Sequence, residues 1–154
     1  MSGFYGFHQP REDRLHRADG WLAPWLDIAA RVKTLLLVAD LKALGNEAVG
    51  SQPRCSDLPR LDGPAECFGC LYVFEGSTFC GQVVSRQLRD TLRGTPANGG
   101  RSFNGCGART GPMWQKFRAA PAGCCAAHGM KDEVVTTARN TFEMLRAWCQ
   151  QTAV

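Results

Sequence analysis

The sequence predicts an all-α, single-domain protein. Apolar residues recur at helical spacing over two long stretches, strand signals are nearly absent, and glycine and proline cluster between the helical runs. The first stretch carries Trp25, Ile28, Ala29, Val32, Leu35, Leu36 and Ala39 at i, i+3, i+4, i+7, i+10, i+11 and i+14. This spacing predicts an amphipathic helix of about five turns, with Pro24 in its first turn and Gly45 as its stop. Residues 46–64 hold Gly50, Pro53, Pro59, Gly63 and Pro64 and read as a loop with room for one helical turn. Glu66 to Phe74 and Gly76 to Arg93 read as two helical segments or as one bent helix, because glycines are an accepted cause of bends.

Gly94 to Gly107 reads as loop. Gly111-Pro112 opens a further helix, with Met113, Trp114 and Phe117 on its apolar face, and Pro121 to Gly129 breaks the pattern. The last helix is expected from about Lys131 to Gln150, with Val134, Ala138, Phe142, Leu145 and Cys149 turned inward. Trp21, Trp25 and Trp148 are expected to pack between helices. Only Leu71-Tyr72-Val73-Phe74 has β character, and its flanks favour helix.

Composition narrows the function. A chain of 154 residues, 44% hydrophobic and 21% charged, matches an ordinary soluble domain with one core. The net charge of +4 comes from dispersed arginines, so no nucleic-acid footprint is present. No run of eighteen apolar residues exists, which argues against a membrane span. Met1 to His8 lacks the basic start and apolar stretch of a signal peptide, so a cytoplasmic location is expected.

Eight cysteines suggest either disulfides or zinc, but disulfide scaffolds are usually shorter and secreted. Cys67-Phe68-Gly69-Cys70 offers one ligand pair, and Cys124-Cys125 is no second one. Most are expected to be reduced, buried hydrophobes. Ser77 and Ser85 have no histidine near them in sequence, and Gly105-Cys106-Gly107 is too short to claim a nucleotide loop.

The stretch Phe74-Glu75-Gly76-Ser77-Thr78-Phe79-Cys80-Gly81-Gln82 stands out, because it sets two glycines inside a helix. Each glycine costs a helix interior about 1 kcal/mol relative to alanine. The usual compensation is close approach of the backbone to a second helix or a flat ligand.

Residues 69–88, running from Gly69-Cys70-Leu71-Tyr72 to Arg86-Gln87-Leu88, resemble the distal-helix segment of bacterial heme oxygenases. The likeness is to the branch that makes biliverdin for bacteriophytochromes. Phe103 to Phe117 resembles that family's following loop and helix, Ala138 to Trp148 its C-terminal helix, and Arg31 to Gly45 its earlier helix. The resemblance covers most of residues 1–154.

It implies heme held between a proximal and a distal helix, as both cofactor and substrate. Heme would be cleaved with O₂ and electrons to biliverdin, CO and ferrous iron. An electron donor such as a ferredoxin or a flavin reductase is implied, with a bacteriophytochrome as a downstream partner. Gly76, Ser77 and Gly81 match the catalytic distal elements. Thr78, Cys80, Arg86, Met113, Phe117 and Phe142 are the heme-binding candidates.

Two departures bear on activity, the first at Cys80 and the second, larger one in the proximal helix. Cys80-Gly81 stands where the family has paired glycines, which puts a thiol against the heme face. Ser77 replaces a carboxylate that many relatives use to order water, although a hydroxyl both donates and accepts.

The resemblance also places the proximal histidine upstream of the segment matching Tyr5 to Leu15, so that helix is expected to be lacking. No histidine stands at the matching position. His8 and His16 are the substitutes to consider as iron ligands; a surface or capped role is the plainer reading. His128 has no constellation around it.

Arg86, Arg89 and Arg93 share a helical face that could meet propionates or a donor, or form a solvated stripe with Asp90. Met113, Trp114, Phe117 and Phe142 suit a cofactor wall or plain core. The rival reading is a non-catalytic helical relative acting as a binding module, with an uncovered apolar face that promotes self-association.

Overall fold

The computed structural model describes residues 1–92 and 98–152, apart from the side chains of 19, 82, 88–92 and 125–128. Every regular element among them is helical: α1 (Ser2–Arg17), α2 (Asp19–Leu22), α3 (Thr34–Ala43), α4 (Pro64–Leu92), α5 (Arg101–Asn104), α6 (Thr110–His128) and α7 (Lys131–Gln151). Short 3₁₀ turns occupy Ala29–Arg31, Val49–Ser51 and Gly107–Arg109. None of the helices is long and apolar enough to cross a membrane.

The organising element is α4, one uninterrupted helix where the sequence left open two. Its Cys67, Phe68, Cys70, Leu71, Val73 and Phe74 enter the main core beside Phe7 and Leu15 of α1, Leu22 of α2 and Phe117, Ala120 and Cys124 of α6. Cys67 and Cys70 are fully buried, and burial pushes their thiols up to about 12 and about 11. They remain protonated core residues, as the composition suggested.

A smaller cluster of Tyr5, Leu37, Leu41 and Val49 seals α1 against α3. The loop between α3 and α4 is tied down by Arg14 Nη1, which donates to the carbonyls of Leu58 at 3.1 Å and Pro59 at 3.2 Å.

α7 crosses α4 at Gly69. A Cβ added there would lie 2.6 Å from the Val134 carbonyl oxygen and 2.7 Å from Thr137 Cβ, closer than real Cβ atoms come. The contact stripe of α7 is therefore small: Thr137 and Thr141 are its most buried residues, and the Thr141 hydroxyl donates to the Thr137 carbonyl at 2.8 Å. Val134, Ala138, Leu145 and Trp148 flank them, whereas Phe142 is 56% exposed. The inward placement of Phe142 expected from periodicity is thus corrected. A glycine on the facing helix brings the backbones too close for a large ring on the stripe.

Two further expectations are corrected. Trp25 to Val32 is not α-helical, and α3 begins only at Thr34. The reason is a carboxylate from another helix: Glu12 accepts the N–H of Lys33 at 2.8 Å and of Thr34 at 3.1 Å, which fixes the N-terminus of α3 there. The phase shifts with it, so Leu37 and Leu41 are buried while Leu35 is 75% exposed.

Pro121 does not break α6, which continues to His128. Ala120 and Cys124 pack into the core on either side of the proline, and that burial outweighs the lost backbone bond. Trp21 is 46% exposed and Trp25 37%, with the Trp25 ring against Gly123 of α6, while Trp148 is fixed by its Nε1–H donating to the Gly3 carbonyl at 2.7 Å.

Candidate functional site

Successive helical residues turn by about 100°, so Gly76 and Gly81, five apart, lie about 140° apart on α4 and serve different surfaces. At Gly81 an added Cβ would fall 2.9 Å from the Phe103 carbonyl oxygen, so this glycine lets the α5 backbone rest on α4. At Gly76 the nearest atom is Trp114 Cη2 at 3.8 Å, an ordinary contact that leaves room for a methyl group. Nothing inside the protein requires glycine at position 76.

The pair should therefore respond oppositely to alanine. Gly76→Ala should raise stability in urea unfolding by up to about 1 kcal/mol, because only helix propensity changes. Gly81→Ala should lower it by about 1–3 kcal/mol through overpacking against a backbone carbonyl. Equal effects in the two variants would contradict the division of roles.

Beside Gly81 a groove open to solvent, with a cavity volume of about 70 Å³, runs between α1, α3, α4 and α5. Met1, Phe4, Leu37, Phe74 and Phe103 give it apolar walls, and His8, Lys33, Ser77, Thr78 and Ser102 bring polar groups to it. The mix of apolar walls with a few polar groups suits a small-molecule site. Ser77 Oγ donates to the Val73 carbonyl at 2.6 Å and Thr78 Oγ1 to the Phe74 carbonyl at 2.8 Å. With their protons committed to the helix, both hydroxyls offer the groove lone pairs.

A buried ionic network supports the groove. Arg11 Nη2 donates to Glu12 Oε1 at 2.8 Å, and Arg31 Nη1 to Glu75 Oε2 at 2.5 Å. Arg11 also stacks its guanidinium 3.9 Å above the Phe74 ring, with His8 edge-on to that ring at 4.7 Å. Burial raises the Glu12 carboxyl, but His8, Arg11, Thr34 and Lys33 outweigh it and hold the group at about 2. Burial pushes Glu75 above its ordinary value, against the pull of Arg31, Lys33 and Arg11.

His8 is lowered by burial to about 4 despite the pull of Glu12, so it is neutral near pH 7. Its Nδ1 faces Arg11 Nη2 at 3.2 Å and Glu12 Oε1 at 3.5 Å. With its proton on Nε2, Nδ1 accepts from Arg11; with its proton on Nδ1, it donates to Glu12. In either neutral tautomer the ring keeps one N–H as a hydrogen-bond donor.

The candidates from sequence separate into groups. Ser77, Thr78 and Gly81 line the groove together with His8. Gly76 and Cys80 lie on the adjoining face of α4, where Cys80 is exposed. Met113 lines a smaller pocket with Arg31, Lys33, Glu75, Thr78, Cys106 and Thr110. Phe117 is fully buried core, and Phe142 and His16 are exposed elsewhere. Arg86 is exposed on α4 beyond the groove. Arg93 lies outside the described residues, as do the side chains of Arg89, Asp90 and His128.

Sequence reading missed Lys33, Glu12, Arg31 and Glu75. The available signal was charge embedded in apolar runs, as in Arg31-Val32-Lys33 before four apolar residues in five, and in Phe74-Glu75-Gly76. Among the described residues no three His, Cys, Asp or Glu side chains are grouped to hold a metal ion.

The structure is all-helical, with a largely apolar groove along a glycine-bearing helix. The sequence profile of the family described as heme oxygenase matches residues 4–151. The chain therefore belongs to the heme oxygenase family. No curated protein and no solved structure matches it significantly.

Proposed function

We propose that the protein is a heme oxygenase, cleaving heme to biliverdin, CO and ferrous iron with O₂ and electrons from an external donor. The observation that carries this is Gly76, a glycine in mid-helix that internal packing does not require, in a chain matched to the family from residue 4 to 151. An absent Cβ beside an open face is what close approach of a flat ring needs.

The residues present suit heme as substrate. Gly76, Ser77 and Cys80 would lie against it, and Met1, Phe4, Leu37 and Phe103 supply apolar surface in the adjoining groove. Heme supplies the iron at which O₂ is reduced. The chain supplies acceptor oxygens at Ser77 and Thr78 and a neutral donor at His8, placed to order water on the α4 side. His8 shares the groove with Ser77 and Gly81, so it fits this ordering role better than that of an axial ligand facing them. The bacteriophytochrome-linked branch remains part of the proposal, resting on the resemblance of residues 69–88.

Heme titration tests the reading. A saturable Soret band is expected, followed by its loss and the rise of biliverdin absorbance when reductant and O₂ are supplied. Binding without turnover would favour the rival helical binding module, and no stoichiometric binding would end both heme readings. Cys80→Gly should bind heme more tightly if the thiol crowds the ring. His8→Ala should leave the Soret maximum in place; a shift would restore His8 as a ligand.

A further inference from the structure

Lys33 holds a buried amine with nothing to bond to. It is 6% exposed, and its Nζ is fully enclosed and makes no hydrogen bond. The carboxylates of the network are engaged by other groups. Glu12 accepts from Arg11 and from two backbone N–H groups, and Glu75 accepts from Arg31. Burial holds the Lys33 amine below its ordinary value, which raises the share of the neutral form with a lone pair on nitrogen.

The group set beside this amine is a thiol. Lys33 and Cys106 line the same small pocket, with Glu75, Thr78 and Thr110 among its other walls. Of the ionisable groups whose charge acts on Lys33, Cys106 comes first, ahead of Glu75 and Glu12. The turn that carries Cys106 passes close to Nζ, since a Cβ added at Gly105 would lie 3.5 Å from it. Gly105 and Gly107 both have φ of 58°, so Cys106 stands at the tip of a tight turn between two glycines of positive φ. Its N–H donates to Thr110 Oγ1 at 3.2 Å, which holds the backbone and leaves the side chain to rotate. Cys106 is half-buried, so a small oxidant reaches this residue without having to reach the lysine.

We propose that Cys106 and Lys33 form an oxidation-dependent cross-link, a sulfur–nitrogen bond between Sγ and Nζ. Hydrogen peroxide is the co-reactant and transfers one oxygen to Sγ. The O–O and S–H bonds break, an S–O bond forms and water leaves; sulfur loses two electrons and the peroxide gains them. Rotation of the Cys106 side chain brings the sulfenic sulfur to Nζ, which attacks it with its lone pair. The S–N bond forms as the S–O bond breaks, and hydroxide leaves with an amine proton as a second water, with no further redox. Sulfenic acids condense in this way with backbone nitrogen, and an amine with a free lone pair is the stronger nucleophile. Two external thiols reverse the link, restoring thiol and amine and leaving one disulfide. The bond would tie the turn before α6 to the residue before α3, and it stands independently of the heme reading.

Tryptic digestion with mass spectrometry tests this on the purified, ligand-free chain after treatment with hydrogen peroxide. Trypsin ordinarily cuts after Lys33 and releases Ser102–Arg109, the peptide that holds Cys106. In the oxidised chain Ser102–Arg109 should be recovered joined to Val32–Lys42, uncut at Lys33 and lighter than the sum of the two by two hydrogen atoms. Dithiothreitol should separate them and restore cleavage at Lys33. Lys33→Arg keeps the charge but offers no nucleophilic amine, so Cys106 should stop there at the sulfenic acid and be trapped by dimedone.

Cleavage at Lys33 unchanged by peroxide would overturn the proposal, whether Cys106 is then unreacted or carried on to the sulfinic acid. A disulfide from Cys106 to another cysteine would do the same, as would closure on the Gly107 nitrogen within Ser102–Arg109. The digest of the parent chain decides by itself, so a variant that fails to fold leaves the test standing.

Discussion

Gly69→Ala is expected to destabilise the protein by about 3 kcal/mol or more, the upper end of overpacking effects. The added methyl would meet the Val134 carbonyl oxygen at 2.6 Å, Thr137 Cβ at 2.7 Å and the Ala138 nitrogen at 3.0 Å. Two of these three atoms are backbone within a helix, so no rotamer change relieves the clash. Either α7 shifts as a unit or the crossing opens. Urea unfolding followed by circular dichroism measures the loss. A change below about 1 kcal/mol, the lower end of overpacking effects, would mean that the crossing is looser than described.

Glu12→Gln is expected to cost about 3–5 kcal/mol, the range for breaking a buried ion pair by removing one partner. It leaves Arg11 and Lys33 with less compensating charge, and it weakens the anchor at the start of α3. The same residues set the acid limb of stability. The folded Glu12 value of about 2 lies below its ordinary 4.5, so its contribution is complete above 4.5 and is lost as pH falls towards 2. His8 is neutral when folded down to about 4 but takes a proton below 6.5 when unfolded, so stability already falls between pH 6.5 and 4.

Glu75 is shifted the other way and offsets part of the Glu12 loss. Each of the two destabilising groups is worth on the order of 3 kcal/mol across its window. Midpoints of unfolding between pH 7 and 3 check this. The parent should lose stability from about pH 6.5 downward, while His8→Phe should hold its midpoint until about pH 4.5. Coincident acid profiles would remove the histidine from the account.

Much of the fold was legible because helical periodicity reports burial, and burial dominates here. The extents of α4 and α7, the loop between α3 and α4 and the start of α6 all follow from apolar spacing and from Gly and Pro. The failures share one cause, which is that a neighbour in space decided the outcome. The true start of α3 was hidden because its cap is Glu12, a residue twenty-two positions before Thr34. Phe142 was misplaced because the crossing distance is set by Gly69 on another helix. Of the candidate site, the α4 segment was visible from its glycines and its family likeness. Lys33 and Glu75 were not, since a charged residue in a helix reads as solvent-facing until its surroundings are known.

The crossing at Gly69 has one more consequence, in the time domain. It joins α4 to a helix near the far end of the chain, so amide protons on both sides of it should exchange with solvent only when the whole fold opens. Beyond Gly76 the same helix leaves that contact, and Phe79 and Val83 stand exposed on it. Hydrogen exchange should accordingly be slow up to about Val73 and faster past Ser77, within one unbroken helix. The part that would meet the ligand is then the part that opens locally, hinged on a segment that does not.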